Sequence, residues 1–193
     1  MTLHADAKAV LAAWQAPDVE QDALRTLYLR HLVAQPTAMT RGCHPDHLTA
    51  SALVMSADGA RVVLTKHAKA GLWLQTGGHC EADDATLAGA ALREAREESG
   101  IADLRIDPVP LLLSRHAVPF CGPIQPAHHL DVQFLAIAPV DAAPVISDES
   151  DDLAWWPADD PPEPTDQDVR DLIAAARRRL RGSPSPVPSP GSD

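Results

Sequence analysis

Positive charge is what this sequence has least of. Its 16 Lys and Arg face 27 Asp and Glu across 193 residues, giving a formal net charge of −11 at pH 7. A general nucleic-acid or anionic-membrane binder displays a basic surface, so neither is expected as a partner. A polyanionic small molecule remains compatible, provided cations bridge it to the protein. Long apolar runs are also missing. No stretch approaches the ~20 residues needed to cross a bilayer, and "MTLHADAKAV" has no basic segment leading into an apolar one, so no secretory signal is expected. Cysteine is scarce: Cys43, Cys80 and Cys121 are odd in number and widely spaced, with no CxxC. That argues against a disulfide framework and for a reducing compartment, so a cytoplasmic protein is the expectation. No internal repeat is visible. What remains has ordinary apolar content and a length suited to one domain plus attachments.

The first 35 residues read as two helices. Val10, Leu11 and Trp14 give a short apolar face before Pro17, and Asp18 is the expected N-cap of the second helix. There Leu24, Leu27, Tyr28 and Leu32 recur at helical spacing, a stripe that packs on a core or forms a homodimer interface. "HLTASALVMS" and "ARVVLTK" read as a hairpin turning at Asp58-Gly59. "LWLQTGGHC" is a further strand running into a glycine pair. A helix follows from about Asp84 to Ser99, stopped by Gly100. "VPLLLSRHAV", "HHLDVQFLAIAP" and "DDLAWWPA" are strands, the second placing Leu130, Val132, Phe134 and Ala136 on one face. Val169, Leu172, Ile173, Ala176 and Leu180 mark a last helix whose final turns are rich in arginine, which suits the negative end of its dipole. Strands and helices mix without strict alternation, so the expected fold is α/β of the α+β kind, a mixed sheet sandwiched between helices. The expected organisation is a helical extension over 1–40, a core domain over 41–182, and a Pro/Ser-rich tail over 183–193 with no core-forming residues.

"LREAREESG" crowds Glu94, Glu97 and Glu98 onto the central helix. At 100° per residue, Leu87, Ala88, Ala91, Leu92 and Ala95 form the stripe facing the sheet, and the three glutamates fall together beside it, within an arc of about 100°. Carboxylates at i, i+3 and i+4 repel, and partial burial sharpens the repulsion. A compensating cation is called for, and hard ions such as Mg²⁺ take carboxylates plus substrate phosphates. An acidic helix alone is more often a salt-bridged surface, with Arg93 pairing to Glu97. Its position after a strand and the Gly77-Gly78 turn favours the cation, because glycine lets backbone approach a bound ion or phosphate.

"GGHCEADDATLAGAALREAREESGI", Gly77 to Ile101, resembles the Nudix box. Gly78, Arg93, Glu94, Ala95, Glu97, Glu98, Gly100 and Ile101 match that pattern, and the likeness extends over about residues 46–160. Two departures stand out. Asp84 occupies the position of the box's first glutamate, and the gap from Asp84 to Arg93 is one residue longer than the standard box. The resemblance implies a Nudix-like α/β/α sandwich. It further implies a Mg²⁺- or Mn²⁺-dependent hydrolase cleaving the pyrophosphate of a nucleoside diphosphate linked to another group, with a nucleotide-type small molecule as partner. A nucleotide-binding regulator on the same fold, without turnover, is the alternative. Glu94 and Glu98 become the principal metal ligands, supported by Glu97 and the Gly78 carbonyl. One of these glutamates, or Glu149 in "ISDESDD", becomes the general base. Asp84 and Arg93 become the structural pair of the box, though at the altered spacing Asp84 could instead cap the helix.

Outside the box the signals are weaker. Trp73 is a candidate for stacking on a base, and His128 and His129 for contacting a phosphate or ribose. Trp155 and Trp156 cannot both face the core from one strand. "CHPDH" gathers Cys43, His44 and His47 but lacks a second ligand pair at fixed spacing, so it reads as an ordinary loop.

Overall fold

A computed structural model describes residues 1–68, 70–119, 121–146 and 150–182. Glu149 and the segment 183–193 lie outside these. The chain forms a seven-stranded mixed sheet with helices on both faces, the α+β arrangement that the mixing of strand and helix patterns implies.

The central strand is β1 (His47–Ser56). It turns at Asp58-Gly59 into the antiparallel β2 (Arg61–His67), with Gly59 at φ +70° and Ser56 Oγ donating to the Asp58 carboxylate at 2.6 Å. The glycine-rich strand is split. β3 (Trp73–Leu74) pairs with β2, and β4 (Thr76–His79) runs antiparallel to the first half of β1, setting His79 opposite Thr49. β5 (Arg105–Ala117) and β6 (His128–Ala138) are antiparallel to each other, and β6 lies parallel to β1 with His47 beside His129. The β5–β6 register breaks between Asp107 and Leu112, where Pro108 and Pro110 have no N–H to offer a ladder. β7 (Ser150–Pro157) pairs with β2.

Side chains alternate across these strands. Leu48, Ala50, Ala52 and Val54 of β1 join Leu130, Val132, Phe134 and Ala136 of β6 in one core, shared with α1 (Leu3–Ala13), α2 (Val19–Ala34) and α3 (Leu87–Ser99). Leu53, Met55 and Leu135 point the other way, against Val169, Leu172, Ile173 and Ala176 of α4 (Gln167–Gly182). The polar residues His47, Thr49, Ser51, His129, Asp131 and Gln133 fall by the same period on the α4 side. Trp155 and Trp156 divide between the two cores.

The N-terminal helices are fastened to the domain by hydrogen bonds as well as by the apolar stripe. The Trp14 indole N–H donates to the Pro110 carbonyl at 2.8 Å, and the Tyr28 hydroxyl to the Ser114 carbonyl at 2.7 Å. Gln21 pairs through its amide with both the N–H and C=O of Leu113, as a neighbouring strand would. Asp6, buried on α1, accepts from the Leu87 N–H at 2.8 Å and so satisfies a first-turn donor of α3.

The central helix begins at Leu87, later than the sequence pattern suggests. Its N-cap is Thr86, whose hydroxyl accepts from the Gly89 N–H at 3.0 Å. Asp84 lies in the preceding turn, where it accepts from the Glu81 N–H at 2.8 Å. It is therefore no helix cap.

Candidate active site

α3 packs its Leu87–Ala91–Ala95 stripe on the sheet, which brings Glu94 against the backbone of β4. The contact is close. A Cβ on Gly78 would lie 2.7–2.8 Å from the carboxyl atoms of Glu94, so a larger residue there would displace the end of that side chain. The Glu94 side chain is 15% exposed, against 58% for Glu97. Burial therefore raises the Glu94 carboxyl above its ordinary value, and Arg93 only partly opposes this. Glu98 is half-buried and one turn further along the same face as Glu94. Gly100, at φ +68°, closes the helix in a left-handed cap.

Arg93 organises the acidic cluster. Its guanidinium donates to both Asp84 oxygens at 3.2 and 3.0 Å, to Glu94 at 3.0 Å, to Glu97 at 3.0 Å and to the His79 carbonyl at 3.0 Å. These acceptors hold its pKa above even arginine's ordinary value, the Asp84 hydrogen bonds contributing most. One side chain thus joins the turn before the helix, the helix and the end of β4. The site offers hard oxygen donors: the Glu94 and Glu98 carboxylates, with the Gly78 backbone held against Glu94 by the missing Cβ. That donor set suits Mg²⁺ or Mn²⁺ rather than a soft ion.

The other candidate residues lie elsewhere. Trp73 is buried in the core on the α4 side, edge-on to Trp156 at 5.2 Å between ring centroids. His128 is occupied by Asp46, at 3.1 Å, and by Arg115, at 2.9 Å. His129 belongs to a group absent from the pattern-based reading. His47, His79, Cys121 and His129 each present a ligand atom, all within 4.8 Å of one another. These residues come from β1, β4, the loop before β6 and β6 itself. Their spacing in the chain has no regularity, so no motif could reveal them, and His47 in "CHPDH" has its partners far away in sequence. Desolvation lowers all three imidazoles from their ordinary value, His79 to about 4 and His129 to about 3. This group lies on the α4 face of the sheet, whereas Glu94 lies on the α3 face.

Comparison with known proteins is consistent in one direction. The NUDIX domain family matches residues 45–180. No curated protein matches the sequence. Among solved structures, a NUDIX-family hydrolase from Clostridium perfringens is 22% identical, with a TM-score of 0.54, covering 70% of this chain and 96% of its own. A C. elegans Ap4A hydrolase in a binary complex is 17% identical with a TM-score of 0.57, over 70% and 98% of the two chains. The NUDIX domain of Shewanella oneidensis NrtR, complexed with ADP ribose, is 24% identical with a TM-score of 0.53, over 78% and 97%. At these identities the likenesses speak for the fold. The helices α1 and α2 precede the matched region.

Proposed function

The chain belongs to the Nudix family, and from that premise we propose that it is a Nudix-type pyrophosphohydrolase acting on a nucleotide-type substrate. The observation that carries this reading is the Gly78–Glu94 contact: a largely buried carboxylate lying directly against glycine backbone, with Glu98 one turn on and Arg93 bracing the whole. Glu94 and Glu98 would hold a divalent cation, with Glu97 and the Gly78 carbonyl in support. When bound, the ion neutralises pyrophosphate charge and lowers the pKa of water.

The protein's own contribution is positional. Arg93 keeps Glu94 from swinging out and balances the acidic cluster while no ion is present. Asp84 fixes the turn from which α3 starts, so the helix presents Glu94 and Glu98 together. One of the box glutamates, or Glu149, would accept the proton from the attacking water. If Glu149 does, Glu149→Gln lowers kcat while leaving the affinity for Mg²⁺, measured by calorimetry, as in the wild type.

The deciding experiment is phosphate-product release across a panel of ADP-ribose, dinucleoside polyphosphates and (d)NTPs, with Mg²⁺, with Mn²⁺ and with EDTA. Metal-dependent turnover of one class is expected. Saturable nucleotide binding without turnover under every condition would favour a nucleotide-binding regulator instead.

A further inference from the structure

We propose that His47, His79, Cys121 and His129 form a second metal centre, a closed tetrahedral site for a zinc-type ion, on the sheet face opposite the acidic cluster. The geometry meets the requirements for such a site. For Zn–S near 2.3 Å and Zn–N near 2.05 Å, a tetrahedron sets sulfur and nitrogen about 3.6 Å apart. The Cys121 Sγ lies 3.8 Å from His47 Nε2 and 3.7 Å from His79 Nε2. Three imidazoles and a thiol within 4.8 Å are borderline-to-soft donors, the set that suits zinc and not magnesium.

The surroundings orient the ligands. His47 Nδ1 lies 3.1 Å from the Cys43 carbonyl, an arrangement that places the ring proton on Nδ1 and leaves the Nε2 lone pair facing the cluster. His129 Nε2 is buried with no hydrogen-bond partner among the described residues, a polar atom that the protein alone does not satisfy. The Cys121 loop is seated on His44: Gly122 has φ +77°, and a Cβ there would meet the His44 ring at 2.4 Å. Sheet register does the rest, setting His129 beside His47 and His79 opposite Thr49, one alternation along β1 from His47.

Four protein ligands leave no open position, so the ion is structural and not a water activator. It would tie the ends of β1, β4 and β6 to the loop before β6. It would also bear on the acidic cluster from behind, since the His79 carbonyl accepts from Arg93 at 3.0 Å. The centre is independent of whether the acidic cluster hydrolyses anything.

The test uses the full-length protein, stripped of metal by chelation and then titrated with Co²⁺ and Zn²⁺. To keep ions bound at the acidic cluster out of the signal, the same titration is run on Glu94→Gln/Glu98→Gln. The expected result in both is one tetrahedral Co²⁺ per chain, with its d–d bands and a thiolate-to-cobalt charge-transfer band displaced by one Zn²⁺, and in the double variant a total of one Co²⁺ bound. Cys121→Ser should abolish the charge-transfer band and weaken Zn²⁺ binding by more than about 100-fold, beyond what loss of an outer-shell partner costs. Zn²⁺ should raise the melting temperature of the wild type more than that of Cys121→Ser, because ligand binding to the folded state adds stability by mass action. Circular dichroism of Cys121→Ser shows whether it is folded. If it is not, His129→Gln serves in its place: it keeps the thiolate, so its readouts are the same weakening of Zn²⁺ binding and the smaller rise in melting temperature, and wild-type values of both would overturn the proposal. Absence of a charge-transfer band in the folded wild type, or its survival in a folded Cys121→Ser, would overturn the proposal.

Discussion

Arg93 meets Asp84 in a two-point contact, Nε to one carboxylate oxygen at 3.2 Å and Nη2 to the other at 3.0 Å. Asp84 is one methylene shorter than glutamate and stands one residue further from Arg93 than the family pattern has it. The turn in which this carboxylate accepts from the Glu81 N–H lets it reach the guanidinium all the same. The side chains are 8% and 22% exposed, so the pair is largely removed from water. Removing one member of such a pair strands the other.

The pairing therefore carries an energetic expectation. In a double-mutant cycle with Asp84→Asn and Arg93→Met, the coupling should exceed about 2 kcal/mol. Arg93→Met should be the more damaging single change, because it also releases Glu94, Glu97 and the His79 carbonyl. Chemical denaturation of the four proteins measures this. A coupling below about 0.5 kcal/mol, the usual limit of additivity for independent sites, would mean that Asp84 acts only in its own turn.

Much of this architecture is written in local pattern. Period-two alternation in "HHLDVQFLAIA" assigns both faces of β6, and the 3.6-residue stripe of α3 places the glutamates beside the core. The Asp58-Gly59 hairpin and the Gly100 cap need only turn chemistry. What is not legible depends on contacts distant in sequence. The start of α3 is set by Asp6, which reaches Leu87 from 81 positions away, together with the local Thr86 cap. A helix wheel cannot see either. The His/Cys group is hidden for the same reason, since its members are brought together by strand register. The histidines in "HHLD" can look like a phosphate contact in sequence, yet one pairs with Asp46 and the other turns toward His47 and His79.

The Gly78–Glu94 contact predicts how the metal site fails. Gly78→Ala would push a methyl into the Glu94 carboxylate, which must move off the β4 backbone. Glu98→Gln keeps volume and removes a ligand charge. Both should lower metal-dependent turnover by at least about 100-fold, as loss of a major charge-stabilising group does. They should differ in stability: Gly78→Ala lowers the melting temperature of the metal-free protein, whereas Glu98→Gln leaves it unchanged or raises it by relieving like-charge repulsion. Wild-type turnover of Glu98→Gln in saturating Mg²⁺ would sink the ligand assignment.

The N-terminal helices should be indispensable to the domain they cover. Asp6→Ala removes a charged acceptor from a buried first-turn amide, at an expected cost of about 1.5–3 kcal/mol. For a chain of this size that lowers Tm by roughly 3–12 °C. Deleting residues 1–35 strips Leu11, Trp14, Tyr28 and Leu32 from the shared core and should yield an insoluble product. A soluble truncation that kept the parent's Tm and oligomeric state would show that these helices sit on the domain without supporting it. Asp6→Asn, which can still accept the hydrogen bond, should recover part of the loss.

Tyr28 provides the cleanest readout of that packing, because it is the only tyrosine in the chain. Its ring is fully buried and its hydroxyl donates to the Ser114 carbonyl at 2.7 Å. Burial, reinforced by the nearby Asp131 carboxylate, pushes the phenol well above its ordinary value of 10.0. The unfolded chain releases this proton as the pH passes about 10, while the folded chain keeps it, so above that pH the folded state binds more protons. Stability from this group is thus fully present below pH ~10 and is lost as the pH rises further. In an alkaline titration, phenolate absorbance should appear together with the loss of ellipticity, at a pH clearly above 10. Tyr28→Phe should cost about 1 kcal/mol near neutrality and show a shallower decline in stability above pH ~10. If phenolate absorbance developed around pH 10 while the native ellipticity persisted, the hydroxyl would be open to solvent, and α2 would not seal this part of the sheet.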